Sequence, residues 1–230
     1  MQSTLIIGPS RWRDFSDCPR RYLFAHVLKL APSDPDAGSI GEAVHTELHA
    51  RHEQPARHDD RTLLTDARPE THGDVQRFVD RHRSVCPRGD AEYLGGEVEW
   101  AWYIRRKDTF LRGRVDALWQ YPDGSIEIRD YKTGACPDTL DGHFAAQCYG
   151  VLAAANLQAP RRRIFLTFES LSQEDSVVTR AVDDQFLSQA IDAVLDVATH
   201  LRTAVEYPPR PSDSKCGLCS YRSLCRDSLV

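Results

Sequence analysis

The segment Leu111–Lys132 restricts the fold more than any other part of the chain. Two stretches, "LRGRVDALWQY" and "SIEIRDYK", alternate as strands do, with Pro122-Asp123-Gly124 between them. A three-residue loop with glycine last is a common hairpin connection. With that loop Tyr121 faces Ser125, Leu118 faces Ile128 and Asp116 faces Asp130. Side chains of one parity share a face. An apolar pair therefore lies beneath two carboxylates about 5 Å apart, an opposition that is destabilising by itself. A divalent cation is the simplest reason to keep such a pair, and carboxylate oxygens are the ligands that Mg²⁺ and Mn²⁺ prefer. Lys132 follows on the same face, roughly 6–7 Å further along. An ammonium there can orient a metal-bound water or offset charge on a phosphate under attack. The plain alternative is an exposed hairpin end with solvated Asp and Lys.

The chain has 230 residues, room for one large domain or a domain with a small appended module. Hydrophobic content of 41% and charged content of 27% are ordinary for a globular protein. No segment has the length and apolarity of a membrane span. The start, "MQSTLIIGPSRWRDF", lacks a basic n-region, so no signal peptide and a cytoplasmic location are expected. The net charge of −5 weighs mildly against a nucleic-acid binder. A basic groove can still coexist with an acidic body, and Arg11–Arg13, Arg20–Arg21, Arg105–Lys107 and Arg161–Arg163 are candidates for one.

Helical patterning covers residues 10–30, with a break or restart near Pro19, then "IGEAVHTELHARHE" and "GDVQRFVDRHRSV". The polar stretch 53–73 reads as loop or weak helix. "EYLGGEVEWAWYIRR" alternates as a strand ahead of the hairpin. An apolar helix "HFAAQCYGVLAAAN", a strand "RRRIFLTFES" and a long amphipathic helix "DDQFLSQAIDAVLDVATHLRTA" follow. No internal repeat is present. This order predicts an α/β core with helical additions.

The hairpin with Gly113, Asp116 and "Asp130-Tyr131-Lys132-Thr133-Gly134" resembles the PD-(D/E)XK nuclease superfamily, and more narrowly RecB-type nuclease domains. The resemblance implies that Asp116 and Asp130 bind a catalytic Mg²⁺ or Mn²⁺, with the Tyr131 carbonyl as a further ligand, and that Lys132 assists the attacking water. In "Gly41-Glu42-Ala43-Val44-His45" the family's helical histidine falls on His45. His45, His49 and His52 share one helical face, which also raises a separate zinc site as a weaker alternative. The family's helix glutamine falls on Gln147. Its tyrosine, four residues on in the family, is Val151 here. Tyr149 stands only two residues on, a step of about 200° around a helix, which suits a core aromatic better. Contact with DNA is nonetheless an expectation for Tyr149, beside Arg20, Arg21 and Arg114. Glu97 or Glu99 can add an acidic group, and the sequence does not choose between them.

Seven cysteines, an odd number without a secretion signal, argue against a disulfide framework. Cys216-x₂-Cys219-x₅-Cys225 leaves one coordination position open, and Cys18 in "CPRRYLF" is the candidate to fill it. Four thiolates suit either a [4Fe–4S] cluster or Zn²⁺. A lone Cys before Pro-Arg-Arg-Tyr with a terminal "CxxCxYxxxC" is similar to iron–sulfur RecB-like nucleases, among them the CRISPR-associated RecB-like exonucleases and the AddB nuclease domain. That resemblance implies a 4Fe–4S staple joining the two chain ends. Cys86, Cys136 and Cys148 read as small buried hydrophobes.

The expected architecture is a restriction-endonuclease-like α/β core, a mixed sheet flanked by helices, in a single RecB-like domain. Residues 1–90 form its helical N-terminal part, 91–205 the nuclease core and 206–230 a cysteine module closing onto Cys18. The expected activity is metal-dependent hydrolysis of DNA, as an exonuclease on single-stranded ends. CRISPR adaptation by prespacer processing, phage DNA metabolism and DNA repair are equally open contexts, with or without an integrase-like or helicase partner. The rival expectation is a catalytically silent iron–sulfur module that binds DNA or a partner.

Overall fold

The structure, a computed structural model, describes residues 4–33, 39–54, 62–65, 69–157, 163–174 and 176–229. Residues 55–61 and 66–68 of the polar stretch 53–73, and two of the Arg161–Arg163 cluster, lie outside the described residues. The described elements are β1 (Leu5–Ile7), α1 (Pro9–Asp17), α2 (Pro19–Tyr22), a π-helical turn (Leu23–Val27), α3 (Ser39–Glu53), α4 (His72–Val85), β2 (Glu92–Ile104), β3 (Thr109–Gln120), β4 (Ile126–Lys132), α5 (Phe144–Asn156), β5 (Ile164–Ser170), β6 (Val177–Ala181), α6 (Asp184–Thr203) and α7 (Asp213–Gly217). The sheet is mixed and six-stranded, in the order β1-β3-β4-β5-β6, with β2 also on β3. β1–β3 and β4–β5 are parallel; β3–β4 and β5–β6 are antiparallel.

The hairpin has the register its loop dictates. Leu118 faces Ile128 and Ala117 faces Arg129. Gly124 closes the loop at φ +80°, a left-handed conformation that only glycine takes without cost. Residues 126–132 are buried on both faces except Lys132, as expected for a strand inside the sheet.

The chain divides into two compact units. One comprises 40–102 and 112–194. Its core joins Val44 and Leu48 of α3, Val75, Phe78 and Val79 of α4, and Ala117, Trp119 and Tyr131 of the hairpin. The other comprises 1–39, 103–111 and 195–230, so the two chain ends fold together. There Phe15, Tyr22 and Tyr207 form an aromatic cluster. Arg210 donates to Ser16 O (2.6 Å) and Ser33 N–H donates to Ser220 O (2.7 Å). β1 and β6 are strands that the sequence pattern did not announce.

Candidate active site

His45 projects from α3 onto the end of the hairpin. Its Nδ1 lies 3.3 Å from Asp116 Oδ1, and its Nε2 lies 3.0 Å from the Tyr131 carbonyl oxygen. Both ring nitrogens thus face acceptors, which favours the doubly protonated ring. Burial works against that charge, but the hydrogen bond and charge of Asp116 prevail and hold the His45 pKa above its usual value. A cation between these acceptors would take the place of that proton. The other Asp116 oxygen, Oδ2, accepts the Tyr131 N–H at 2.8 Å. The side chain here replaces the next rung of the β3–β4 ladder and fixes both residues.

Asp130 and Asp116 are 4% and 7% exposed. Burial holds the Asp130 carboxyl above the usual carboxylate range; the Lys132 charge opposes this and the Asp116 charge adds to it. Lys132 Nζ ion-pairs with Asp130 Oδ2, yet that oxygen has no partner in hydrogen-bond geometry. The ammonium also sits 4.8 Å from the Phe168 ring centre, a cation–π contact that fixes the long side chain. His143 stacks edge-on against the same ring at 5.1 Å.

The structure decides between the two glutamates. Glu99 is exposed, whereas Glu97, His45 and Asp116 place ligand atoms within 4.8 Å of one another. Glu97 sits at φ +53°, two residues after Gly95 at φ +142°, so a kink in β2 turns its side chain to the site. Its Oε2 pairs with Arg114 at 2.8 Å, and its buried Oε1 has no hydrogen-bond partner. The Gly95-Gly96 pair was the available signal, since glycine inside a strand marks a bulge or a close approach.

Three donor residues converge, and two buried carboxylate oxygens lack hydrogen bonds. Hard oxygens with one imidazole suit a divalent cation such as Mg²⁺ or Mn²⁺. The residues present therefore fit the metal.

The profile of the PD-(D/E)XK nuclease superfamily matches residues 7–226. The chain belongs to that superfamily. The nuclease is 22% identical over 215 residues to the CRISPR-associated exonuclease Cas4 of Francisella tularensis subsp. novicida (strain U112), covering 94% of this chain and 91% of that one. It also shares the fold of a crystal structure of an Eubacterium rectale protein assigned as an exonuclease. The TM-score is 0.55 at 13% identity, over 97% of this chain and 89% of that one. Nucleases of this superfamily use divalent metal ions, in agreement with the donor set.

The remaining candidates are distributed as follows. Gln147 and Tyr149 are both buried in α5. Tyr149 hydrogen-bonds Asp130 through its hydroxyl, whose pKa burial and that charge raise. It is therefore a support beneath the carboxylates, and its ring is not offered to DNA, because α5 is buried on all sides over residues 146–153. Arg114 is half-exposed at Glu97. Arg20 and Arg21 belong to the other unit, where Arg20 donates to Tyr207 O (3.1 Å) and Arg21 pairs with Asp14 (2.7 Å). In that unit Cys18, Cys216, Cys219 and Cys225 line one cavity of about 30 Å³. Cys18 Sγ accepts the Arg210 N–H at 3.5 Å. Of the histidine row on α3, only His45 reaches this site. His49 bonds Tyr93 and His52 bonds His82. Among the described residues no helix is long and apolar enough to cross a membrane.

Proposed function

We propose that the nuclease hydrolyses DNA phosphodiester bonds with Mg²⁺ or Mn²⁺ and acts as an exonuclease on single-stranded ends. The observation that carries this reading is the convergence of His45, Glu97 and Asp116 within 4.8 Å, beside Asp130, Lys132 and the Tyr131 carbonyl. Asp116, Asp130, His45 and the Tyr131 carbonyl, with Glu97 as the added acidic group, are the residues that would hold the cation. Bound there, it supplies Lewis acidity and lowers the pKa of water. Lys132 is anchored by Asp130 and Phe168, and its ammonium orients the attacking water and offsets charge on the phosphoryl oxygens. The Tyr149 hydroxyl keeps Asp130 in place. Arg114, half-exposed beside Glu97, would grip a phosphate of the strand.

The four cysteines are proposed to hold a [4Fe–4S] cluster. The four line one cavity, and the lone Cys18 before Pro-Arg-Arg-Tyr with the terminal CxxCxYxxxC, similar to iron–sulfur RecB-like nucleases, supports a cluster over a bare zinc ion. The name of the Francisella relative supports a CRISPR-associated role, within which prespacer processing is our reading; phage DNA metabolism and repair would use the same chemistry.

The test is an anaerobic assay on single-stranded DNA labelled at either end, with Mn²⁺, Mg²⁺ or chelator. Metal-dependent shortening from one end is expected, reduced roughly 10²-fold or more in Asp116→Asn and Lys132→Ala. Intact DNA binding without cleavage by the folded, cluster-loaded protein would favour the silent binding module instead.

A further inference from the structure

We infer that His52 Nε2, His82 Nε2 and Cys86 Sγ form a second metal site, buried in the nuclease unit, for Zn²⁺ or a cation of similar softness. The two Nε2 atoms are 3.1 Å apart and Cys86 Sγ lies 3.7 Å from His52 Nε2. All three ligand atoms fall within 4.8 Å of one another. A tetrahedral Zn²⁺ with its usual bond lengths requires about 3.3 Å between two nitrogens and about 3.6 Å between nitrogen and sulfur. Both measured separations lie within about 0.2 Å of these values.

His52 lies in the last turn of α3 and His82 in the last turn of α4, with Cys86 capping α4. His82 and Cys86, four residues apart, share one helical face. Two helix C-termini, each carrying partial negative charge, thus supply the ligands.

The surroundings have the form of a metal site's outer layer. Glu169 Oε1 lies 2.8 Å from His82 Nδ1. This carboxylate holds the proton on Nδ1 and leaves the Nε2 lone pair for a metal, the usual arrangement around a metal-bound histidine. Glu169 is held by Arg129 at 2.8 Å, and Arg129 also holds Glu127 at 2.8 Å. Glu127, Arg129, Glu169 and His82 are all buried. Two carboxylates and one guanidinium leave one negative charge, and a Cys86 thiolate makes two. A divalent cation would neutralise them. Without one, burial works against an imidazolium at His82, but the Glu169 charge prevails and lifts its pKa to about 9.

A separate observation points to a ligand. The Tyr131 hydroxyl, on a residue 3% exposed, has no hydrogen-bond partner. Its ring lies 5.1 Å from that of His82, and the charges of Glu169, Arg129 and Cys86 act on its hydroxyl. With three protein ligands, the fourth tetrahedral position falls to a water. The unpartnered Tyr131 hydroxyl, on a ring packed against His82, would serve as that water's hydrogen-bond partner. Tyr131 thus offers its carbonyl to the nuclease site and its ring to the second one.

The test is a Co²⁺ titration of chelator-treated, cluster-loaded protein, followed by absorption. Wild type is expected to show a thiolate-to-cobalt charge-transfer band and tetrahedral visible bands. Cys86→Ser and His82→Gln, each checked for native circular dichroism, should lose that band and one bound equivalent. The carboxylate site contains no sulfur and gives no such band. A second measurement needs no variant: alkylation of Cys86 in wild type, mapped by mass spectrometry, with and without Zn²⁺. A bound metal slows it by about tenfold or more, because the free thiolate is the reactive form. An unchanged Cys86 alkylation rate, or an unchanged band and stoichiometry in the folded variants, would overturn the site.

Discussion

Glu97 holds its backbone at φ +53°, a conformation that costs a side-chain-bearing residue about 1–3 kcal/mol. Such cost persists where a side chain is needed, and here it aims a carboxylate at His45 and Asp116. Glu97→Gly separates the two contributions. Glycine relieves the strain, so the thermal midpoint should rise by roughly 2–4 °C, for about 1 kcal/mol. Loss of the exposed Arg114 ion pair costs little. Cleavage should nonetheless fall about 10–100-fold, most steeply at limiting metal, the range seen when supports of a metal site are lost. Unchanged cleavage would remove Glu97 from the site. The donor set also bears on the choice of metal. An imidazole among carboxylates favours Mn²⁺ over Mg²⁺, so Mn²⁺ should reach half-maximal activity at the lower concentration in a metal titration. His45→Asn should narrow that gap.

At the scale of elements, β2 and β3 meet where no side chain fits. A Cβ on Gly96 would stand 2.4 Å from the backbone oxygen of Asp116, an atom that cannot swing aside. Gly96→Ala must push apart the strands that carry Glu97 and Asp116, at a cost of about 2–4 kcal/mol. Reduced stability together with lost cleavage is expected, from thermal melts and the end-label assay. Wild-type behaviour in both would show that the strands separate freely. The α1–α2 segment predicts a pH effect. Burial raises the Asp14 carboxyl, but hydrogen bonding to His26 and the Arg21 charge outweigh it and hold its pKa below the usual value. A depressed carboxyl contributes stability that is complete above its unfolded pKa and fades as pH falls through the folded one. Asp14→Asn should therefore lower the midpoint at pH 7 and bring the two proteins together toward pH 3. A constant gap across that range would deny the pair its role.

At the scale of the molecule, the two ends of the chain share one unit, and Cys18 and Cys225 line the same cavity. A link between them closes a loop of nearly the whole sequence, where cross-linking restricts the unfolded chain most in theory. Cys225→Ser should cost about 2–4 kcal/mol, or roughly 10 °C of thermal midpoint, together with the iron content of anaerobically purified protein. Hydrogen exchange should place the first loss of protection in residues 4–33 and 195–229. Loss of iron without loss of stability would give the proposed cluster a role other than a staple, and an iron-free wild type would remove the cluster itself.

The hairpin was legible from the sequence because its information is local. Period-two alternation and a three-residue loop fix which residues face each other, so Leu118 opposite Ile128 follows without further knowledge. Helices such as α4 and α6 were legible for the same reason, since apolar spacing repeats within each one, whereas α5 stood out as a continuous apolar run. Glu97 was not separable from Glu99, because a kink at Gly95 breaks the alternation that assigns faces. β1 has three residues and β6 alternates weakly at the sheet edge, so neither carries enough period to stand out. Cys86 read as a small hydrophobe because the thiol has no partner nearby in sequence except His82. Its meeting with His52, thirty-four positions away, depends on how α3 and α4 pack on the sheet. The sequence by itself determined the local repeats and the residue types at the site. Which side chains from separate elements converge was decided by tertiary packing, because that juxtaposition is settled by burial over the whole fold and leaves no mark on any single stretch.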